Sequence, residues 1–179
     1  MEQHSNEIIP GLFLGDAGFV YEDLVFELIV NCCPEVDMRY KQPSNVIYLK
    51  FNDDPRDNDK FLSELKKHNV LEQIHEHVVT QKPVIVHCAM GVQRSASVVA
   101  CYLLYRWTFK KPTSPFRVAV PNVWSDNGTA VRAFTRREPE GVKYDITNGV
   151  QNTLDFIRGK RVGAFGKGCN FLQAINEFV

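Results

Sequence analysis

Residues 84–95 read Val-Ile-Val-His-Cys-Ala-Met-Gly-Val-Gln-Arg-Ser, and this stretch decides the predicted fold. The β-branched run that follows Pro83 is typical of a buried strand. Beyond the stretch, apolar side chains recur at helical spacing, namely Ala96, Val99, Leu103 and Trp107. The sequence therefore predicts a strand, a short loop and a helix, with a thiol, a guanidinium and a hydroxyl group on the loop.

This loop, residues 88–94, is called the Cys loop below. Such a loop directs backbone N–H groups and the positive end of a helix dipole into one concavity, which favours a phosphoryl group. A helix N-terminus and a nearby cation also favour the thiolate form of cysteine, so Cys88 is the predicted nucleophile. The planar guanidinium of Arg94 can bind two phosphoryl oxygens, and Ser95 can donate a hydrogen bond to the departing thiolate. The predicted substrate-binding residues are Ala89, Met90, Gly91, Val92, Gln93 and Arg94.

The run His-Cys-Ala-Met-Gly-Val-Gln-Arg-Ser resembles the His-Cys-x5-Arg-Ser/Thr signature of the cysteine-dependent protein phosphatases, particularly the dual-specificity branch. Residues 8–16 are similar to the opening of those domains, as is a later strand that ends in Asn31. The resemblance covers roughly residues 8–107 and 145–178. It implies an α/β fold in which a twisted, mainly parallel sheet is flanked by helices on both faces. It also implies a phosphocysteine intermediate, with neither a cofactor nor a metal.

Residues 52–57, Asn-Asp-Asp-Pro-Arg-Asp, form an acidic stretch that is called the acid loop below. A leaving oxygen needs a proton, and a carboxylic acid on a loop over the site can supply it, which raises the rate by about 10² to 10⁴. The resemblance favours Asp53 as this general acid, with Asp54 as the alternative. The third interpretation is a solvated acidic turn, because Asp, Asn and Pro are ordinary turn residues.

The composition suits one soluble domain over residues 1–179, with 44% hydrophobic and 23% charged residues and no net charge. The zero net charge provides no overall attraction to nucleic acid or to a membrane. No apolar run is long enough to span a bilayer, and the first residues do not resemble a signal peptide. Five cysteines without metal-type spacing indicate a reducing compartment, so a cytoplasmic or nuclear location is expected.

The substrate class depends on the variable positions of the Cys loop. Lipid phosphatase relatives place a lysine there, whereas this loop carries no cation before Arg94. RNA 5′-triphosphatase relatives usually have Asn before this arginine and Thr after it, where this chain has Gln93 and Ser95. These differences favour a protein phosphatase acting on phosphotyrosine and on phosphoserine or phosphothreonine, with an RNA 5′-triphosphatase as the alternative. A non-catalytic phosphopeptide-binding module is disfavoured, since both a nucleophile and an acid are present.

Residues 110–144 form an insertion relative to the resembling family. Asn127-Gly128 lies between two stretches rich in β-branched and aromatic residues, which predicts a β-hairpin. The insertion holds seven Lys or Arg and three Asp or Glu, so its charge is +4 and that of the remaining chain is −4. We expect either a basic arm that binds an acidic or phosphorylated partner or nucleic acid, or a solvated hairpin that only covers the core.

Several other residues allow more than one interpretation. His75 and His77 face different sides of the helix predicted over 59–78, so a metal site formed with His68 is disfavoured. His87 is expected to order the Cys loop rather than to act as a base. Cys32 and Cys33 are expected to be core thiols, with a redox partnership to Cys88 as the alternative. Further strands are predicted at 8–15, 28–33 and 46–51, and further helices at 16–24, 145–157 and 171–178.

Overall fold

The computed structural model describes residues 3–40, 45–108 and 149–178. The predicted hairpin at 110–144 therefore lies outside the described residues. The strands are β1 (Ser5–Ile9), β2 (Leu12–Gly15), β3 (Leu28–Asn31), β4 (Val46–Tyr48) and β5 (Val84–His87). The α-helices of the described residues are α1 (Asn58–Lys67), α2 (Val70–Val79), α3 (Arg94–Thr108), α4 (Gly149–Lys160) and α5 (Leu172–Asn176), and 3₁₀ helices cover Ala17–Tyr21 and Pro55–Asp57.

The strands form one sheet in the order β1-β2-β5-β3-β4. β1 pairs antiparallel with β2, and the other three pairings are parallel. The predicted α/β fold with a mainly parallel sheet is therefore confirmed. β5 is central, between β2 and β3, so Cys88 follows the carboxyl end of a strand that has a neighbour on each side. Ligands of open α/β sheets bind at this edge.

Both faces of β5 are buried, which explains its unbroken β-branched sequence. Val84 and Val86 face the larger core, which receives side chains from all five α-helices. Ile85 faces a smaller apolar cluster on the other side of the sheet. The 3₁₀ helix Ala17–Tyr21 contributes Phe19 to that cluster and provides the helical cover on this second face. The sheet is thus held from both sides directly beneath the Cys loop.

Two predicted elements are divided in the structure. Residues 8–15, predicted as one strand, contribute to two antiparallel strands joined at a turn where Gly11 adopts φ 83°. The helix predicted over 59–78 is two helices, α1 and α2, separated at Asn69, whose φ is 50°. Asparagine tolerates this left-handed conformation better than most residues. Apolar spacing continues across the break, so periodicity alone does not reveal it.

Candidate active site

Carbonyl groups of the Cys loop point outward and accept hydrogen bonds from other segments of the chain. Four successive carbonyl oxygens, of residues 89–92, accept hydrogen bonds from elsewhere in the chain. The backbone N–H of Ala17 donates to the carbonyl of Ala89 at 3.3 Å, and that of Phe165 donates to the carbonyl of Val92 at 2.9 Å. The guanidinium of Arg161 donates to the carbonyls of Met90 at 3.4 Å and Gly91 at 2.9 Å. In a trans peptide the C=O and N–H point in opposite directions, so the amides of residues 90–93 turn toward the inside of the loop. The loop therefore presents a concave set of N–H donors, which binds anions.

Gly91 lies where the loop approaches the rest of the chain most closely. Its φ is 67°, a conformation that side chains other than glycine rarely adopt. A Cβ at this position would lie 2.6 Å from the carbonyl oxygen of Gly15 and 2.6 Å from Nη2 of Arg161. Both the conformation and the space therefore require glycine here.

Cys88 lies at the base of the Cys loop, and only 3% of it is exposed. Its Sγ accepts one hydrogen bond from the backbone N–H of Gly91 and one from the hydroxyl of Ser95, each at 3.2 Å. The start of α3 lies six residues further on. Two donors and the positive end of a helix dipole all stabilise negative charge on the sulfur. The arrangement suits a thiolate nucleophile.

Arg94 is buried beside the sulfur, and its Nη1 donates to Oε1 of Glu35 at 2.6 Å. Burial by itself would lower the pKa of Arg94, but the Glu35 carboxylate holds that pKa above its ordinary value, so the group is charged. The buried Nε has no hydrogen-bond partner among the described residues. An unpaired buried donor destabilises a fold by about 1 to 3 kcal/mol, and a bound anion would satisfy it.

The other predicted substrate-binding residues form the rim of the loop. Ala89 and Met90 are exposed, and 72% of Met90 is accessible. Val92 and Gln93 are half-buried. Since the side chains lie at the rim, an anion inside the loop would contact the backbone and Arg94.

His87 contacts residues on the face of the sheet that carries the smaller apolar cluster. Its ring lies 4.8 Å from the ring of Phe19, and its Nε2 lies 2.9 Å from the hydroxyl of Tyr40. The side chain of Asn31 donates to the same hydroxyl at 2.7 Å. Burial lowers the pKa of His87 to about 4, so the ring is neutral at pH 7. These contacts suit a residue that orders the start of the Cys loop.

The two candidate carboxylates of the acid loop, Asp53 and Asp54, have different surroundings. Asp54 caps the 3₁₀ helix Pro55–Asp57 and accepts hydrogen bonds from the backbone N–H and the guanidinium of Arg56. The hydrogen bonds from Arg56 lower the pKa of Asp54 to about 2, so this carboxylate is ionised and already engaged. Asp53 is exposed, and its Oδ1 accepts a hydrogen bond from Nδ2 of Asn170 at 2.9 Å. The two carboxylates thus differ in their partners: Asp54 pairs with Arg56 inside the acid loop, and Asp53 contacts a distant segment of the chain.

A segment near the C-terminal end of the chain joins the two loops. The backbone N–H of Asn170 donates to Oε1 of Gln93 at 3.3 Å, and Nε2 of Gln93 donates to the carbonyl of Gly168 at 2.7 Å. Asn170 thus contacts Asp53 with its side chain and the Cys loop with its backbone. The structure brings Cys88, Arg94, Ser95 and Asp53 to one edge of the sheet.

Sequence reasoning missed three residues that support this site. Arg161 follows α4, is buried, and also pairs with Asp16 at 2.9 Å. Glu35 follows β3, and its position just past the carboxyl end of a strand was the available signal. Asn170 had no signal, because a single asparagine near a glycine-rich stretch suggests only a turn.

The histidines outside the site have separate partners. Nδ1 of His75 lies 3.3 Å from the hydroxyl of Tyr102, and Nδ1 of His77 lies 2.8 Å from the carbonyl of Gln73. Within residues 3–40, 45–108 and 149–178, no group of three or more His, Cys, Asp or Glu side chains is arranged to hold a metal ion. None of the helices in these ranges combines the length and apolar character needed to cross a membrane.

Comparison with known proteins assigns the family. The sequence profile of the dual specificity phosphatase catalytic domain matches residues 15–114, which is more than half of the chain. The chain therefore belongs to this family. Dual specificity protein phosphatase Mpk3 of Drosophila melanogaster is 29% identical over 107 residues, which span 55% of this chain and 25% of that protein.

Solved structures show the same fold. OH1 from the Orf virus superposes with a TM-score of 0.62 at 20% identity, covering 100% of this chain and 88% of that one. Human DUSP28 superposes with a TM-score of 0.62 at 15% identity, covering 99% of this chain and 94% of that one. The fold inferred from the Cys loop and the sheet is therefore shared with structures of this class.

Proposed function

We propose that this protein is a protein phosphatase that hydrolyses phosphotyrosine and phosphoserine or phosphothreonine through a phosphocysteine intermediate. One observation carries the proposal: Cys88 Sγ lies inside a loop in which the carbonyls of residues 89–92 are hydrogen-bonded outward, so the amides of residues 90–93 turn inward. Arg94, whose charge interacts with Cys88, adds a buried Nε donor that has no partner among the described residues. Membership of the dual specificity phosphatase family supports the assignment.

In the first step, the Cys88 thiolate attacks phosphorus and a P–S bond forms while the P–O bond to the leaving group breaks. The loop amides and Arg94 stabilise the charge on the equatorial oxygens of the transition state. Asp53 transfers its proton to the leaving oxygen, which departs as an alcohol or a phenol. The products of this step are the dephosphorylated substrate and the phosphocysteine enzyme.

In the second step, water attacks the phosphocysteine. The Asp53 carboxylate takes one proton from the water, and the P–S bond breaks with its electron pair returning to sulfur. The hydroxyl of Ser95, 3.2 Å from Sγ, stabilises the thiolate as it departs. Inorganic phosphate leaves, and both Cys88 and Asp53 return to their starting states. These steps require no cofactor.

Charge around the site favours a phosphoprotein over a polyanionic substrate. Glu35 is exposed to 56% at the side of Arg94, and Asp53 is exposed on the acid loop. The Glu35 carboxylate beside the site repels the additional phosphates of an RNA 5′-triphosphate or an inositol polyphosphate. OH1 from the Orf virus, which shares this fold, is a tyrosine phosphatase with triple substrate specificity, which supports a cleft that accepts more than one kind of substrate.

The mechanism is tested with Cys88→Ser. Serine is not ionised in this setting, so we expect turnover below about a hundredth of wild type while phosphopeptide binding survives. The wild-type enzyme, mixed with substrate and quenched in acid, should carry phosphate on Cys88 in a mass spectrum. Cys101→Ala, in the core away from the loop, is the matched control and should retain turnover. Turnover by Cys88→Ser above that level would refute the phosphocysteine mechanism.

The substrate class is tested by phosphate release from four compounds side by side. They are a phosphotyrosine peptide, a phosphothreonine peptide, a triphosphorylated RNA and an inositol polyphosphate. We expect the two peptides to have the higher kcat/KM. The fastest release from RNA would instead support the RNA 5′-triphosphatase, and binding without release from any compound would support a phosphopeptide-binding module.

A further inference from the structure

The side chain of Asp53 is exposed, but a hydrogen bond holds its carboxylate in one orientation. Its Oδ1 accepts a hydrogen bond from Nδ2 of Asn170 at 2.9 Å, across 117 positions of sequence. We propose that Asn170 is a positioning residue that holds Asp53 for proton transfer and sets which oxygen carries the proton. This inference rests on the proposed function, in which Asp53 is the general acid.

Asn170 is itself held on two sides. Its backbone N–H donates to Gln93 of the Cys loop at 3.3 Å, and its carbonyl accepts from Nδ2 of Asn58 at 3.2 Å. Asn58 is buried, and its Oδ1 also accepts from the N–H of Ala174 at 2.8 Å. One residue therefore contacts the general acid, the loop that carries the nucleophile and the start of α1. This arrangement sets the position of the acid relative to the nucleophile.

The direction of the hydrogen bond decides where the proton resides. A protonated carboxyl group has one hydroxyl oxygen and one carbonyl oxygen, and the carbonyl oxygen is the better acceptor for an amide N–H. With Asn170 donating to Oδ1, the proton resides on Oδ2, which is then the oxygen that meets the leaving group. In the second step the same Oδ2 accepts the proton of the attacking water. Holding an exposed side chain in one orientation also reduces the entropy lost on reaching the transition state.

The test compares leaving groups. We expect Asn170→Ala to lower kcat by about 10-fold on phenyl phosphate, a poor leaving group, and by less than about twofold on para-nitrophenyl phosphate, with KM unchanged. Asn170→Asp keeps the shape of the side chain but replaces the donor with an acceptor, so it should lose at least as much. The matched control is Gln173→Ala, an exposed amide on the neighbouring helix α5, which should leave both rates unchanged.

A double variant separates positioning from packing. If Asn170 acts through Asp53, then Asp53→Asn with Asn170→Ala should be no slower than Asp53→Asn alone, because the two effects share one group. Equal losses by Asn170→Ala and Asn170→Asp on both substrates, or additive losses in the double variant, would overturn the positioning role. If Asp53→Asn itself shows no dependence on the leaving group, the acid assignment in the proposed function fails instead. The two failures are thus distinguishable.

Discussion

The Cys loop and the acid loop lie at the same edge of the sheet but are held in opposite ways. The Cys loop is largely buried at its base, and donors from the segments near residues 17, 161 and 165 fasten its carbonyls. The acid loop is mostly exposed and bonds mainly to itself, through Asp54 with Arg56 and Asp57 with Asn52. The hydrogen bond between Asn170 and Asp53 ties it to a distant part of the chain.

The difference follows from the two chemical tasks. Transition-state charge is stabilised best by donors that are already oriented and need no rearrangement, which requires a rigid loop. A proton donor must reach leaving groups of different shape, which requires an accessible loop and a single oriented group. Changes that disturb the Cys loop should therefore impair every substrate, and changes in the acid loop should discriminate among leaving groups.

The largest effect is expected from Gly91→Ala. The added Cβ would lie 2.6 Å from the Gly15 carbonyl oxygen, so the loop must shift, and misplaced donors reduce turnover by about 100-fold or more on all substrates. Gly159→Ala in α4 is the control, since outside its chain neighbours and the backbone of its own helix no atom lies within 4 Å of the added Cβ. It should retain activity and gain up to about 1 kcal/mol of stability. Steady-state kinetics and denaturant unfolding measure both, and a Gly91→Ala enzyme with near wild-type kcat would show that the loop is not rigid.

The next effect is that of Asp53→Asn. We expect kcat to fall by about 10² on phenyl phosphate and much less on para-nitrophenyl phosphate, whose leaving group needs little protonation. Asp54→Asn is the neighbouring control. It loses the ion pair with Arg56, but asparagine is still a suitable cap for the 3₁₀ helix, so the dependence on the leaving group should not change. The opposite result would move the general acid to Asp54.

Oxidation should inactivate the enzyme reversibly. Peroxide converts the Cys88 thiolate to a sulfenic acid, and a neighbouring thiol then displaces water to form a disulfide. Cys32 is a candidate by register, because its N–H donates to the His87 carbonyl at 2.9 Å, and Cys33, the next residue, is the other candidate. Burial raises the pKa of Cys33 to about 12, so Cys33 is a protonated thiol at neutral pH.

Activity should return with dithiothreitol, and mass spectrometry of the oxidised protein should show Cys88 joined to Cys32 or Cys33. Cys33→Ser and Cys32→Ser should then lower the recovered fraction, one of them by a few-fold, because sulfenic acid without a partner oxidises further. Cys101→Ala serves as the control. If the oxidised protein contains no disulfide at Cys88, the hypothesis of a partner thiol is wrong, whereas the prediction of reversible inactivation still stands.

The smallest effect concerns stability at low pH. Burial lowers the pKa of His87 to about 4, whereas the unfolded chain binds this proton near pH 6.5. The stabilising contribution of the neutral ring is therefore full above about pH 6.5 and is lost as the pH falls toward 4, by up to about 1.4 kcal/mol per pH unit. Denaturant unfolding between pH 7 and 4 should show a shallower slope for His87→Gln than for the wild type. Equal slopes would indicate that the ring is protonated in the folded protein.

The sequence by itself determined the part of the site that is local. Strand β5, the Cys loop and the start of α3 are consecutive, so apolar spacing and residue types predict their order and conformation. The same local chemistry identifies Cys88 and Arg94 as candidates. Asp53 required the resemblance to a family, because a pair of acidic residues in a turn does not show which one faces a leaving group.

Only the tertiary structure decided what holds these groups in place. Arg161 lies 70 positions from the Gly91 carbonyl it binds, Glu35 lies 59 positions from Arg94, and Asn170 lies 117 positions from Asp53. Nothing in the spacing of a single charged or amide residue specifies its partner at such separations. The partner is set by the order of strands in the sheet and by where the segment after α4 packs, and these depend on burial of apolar surface over the whole fold.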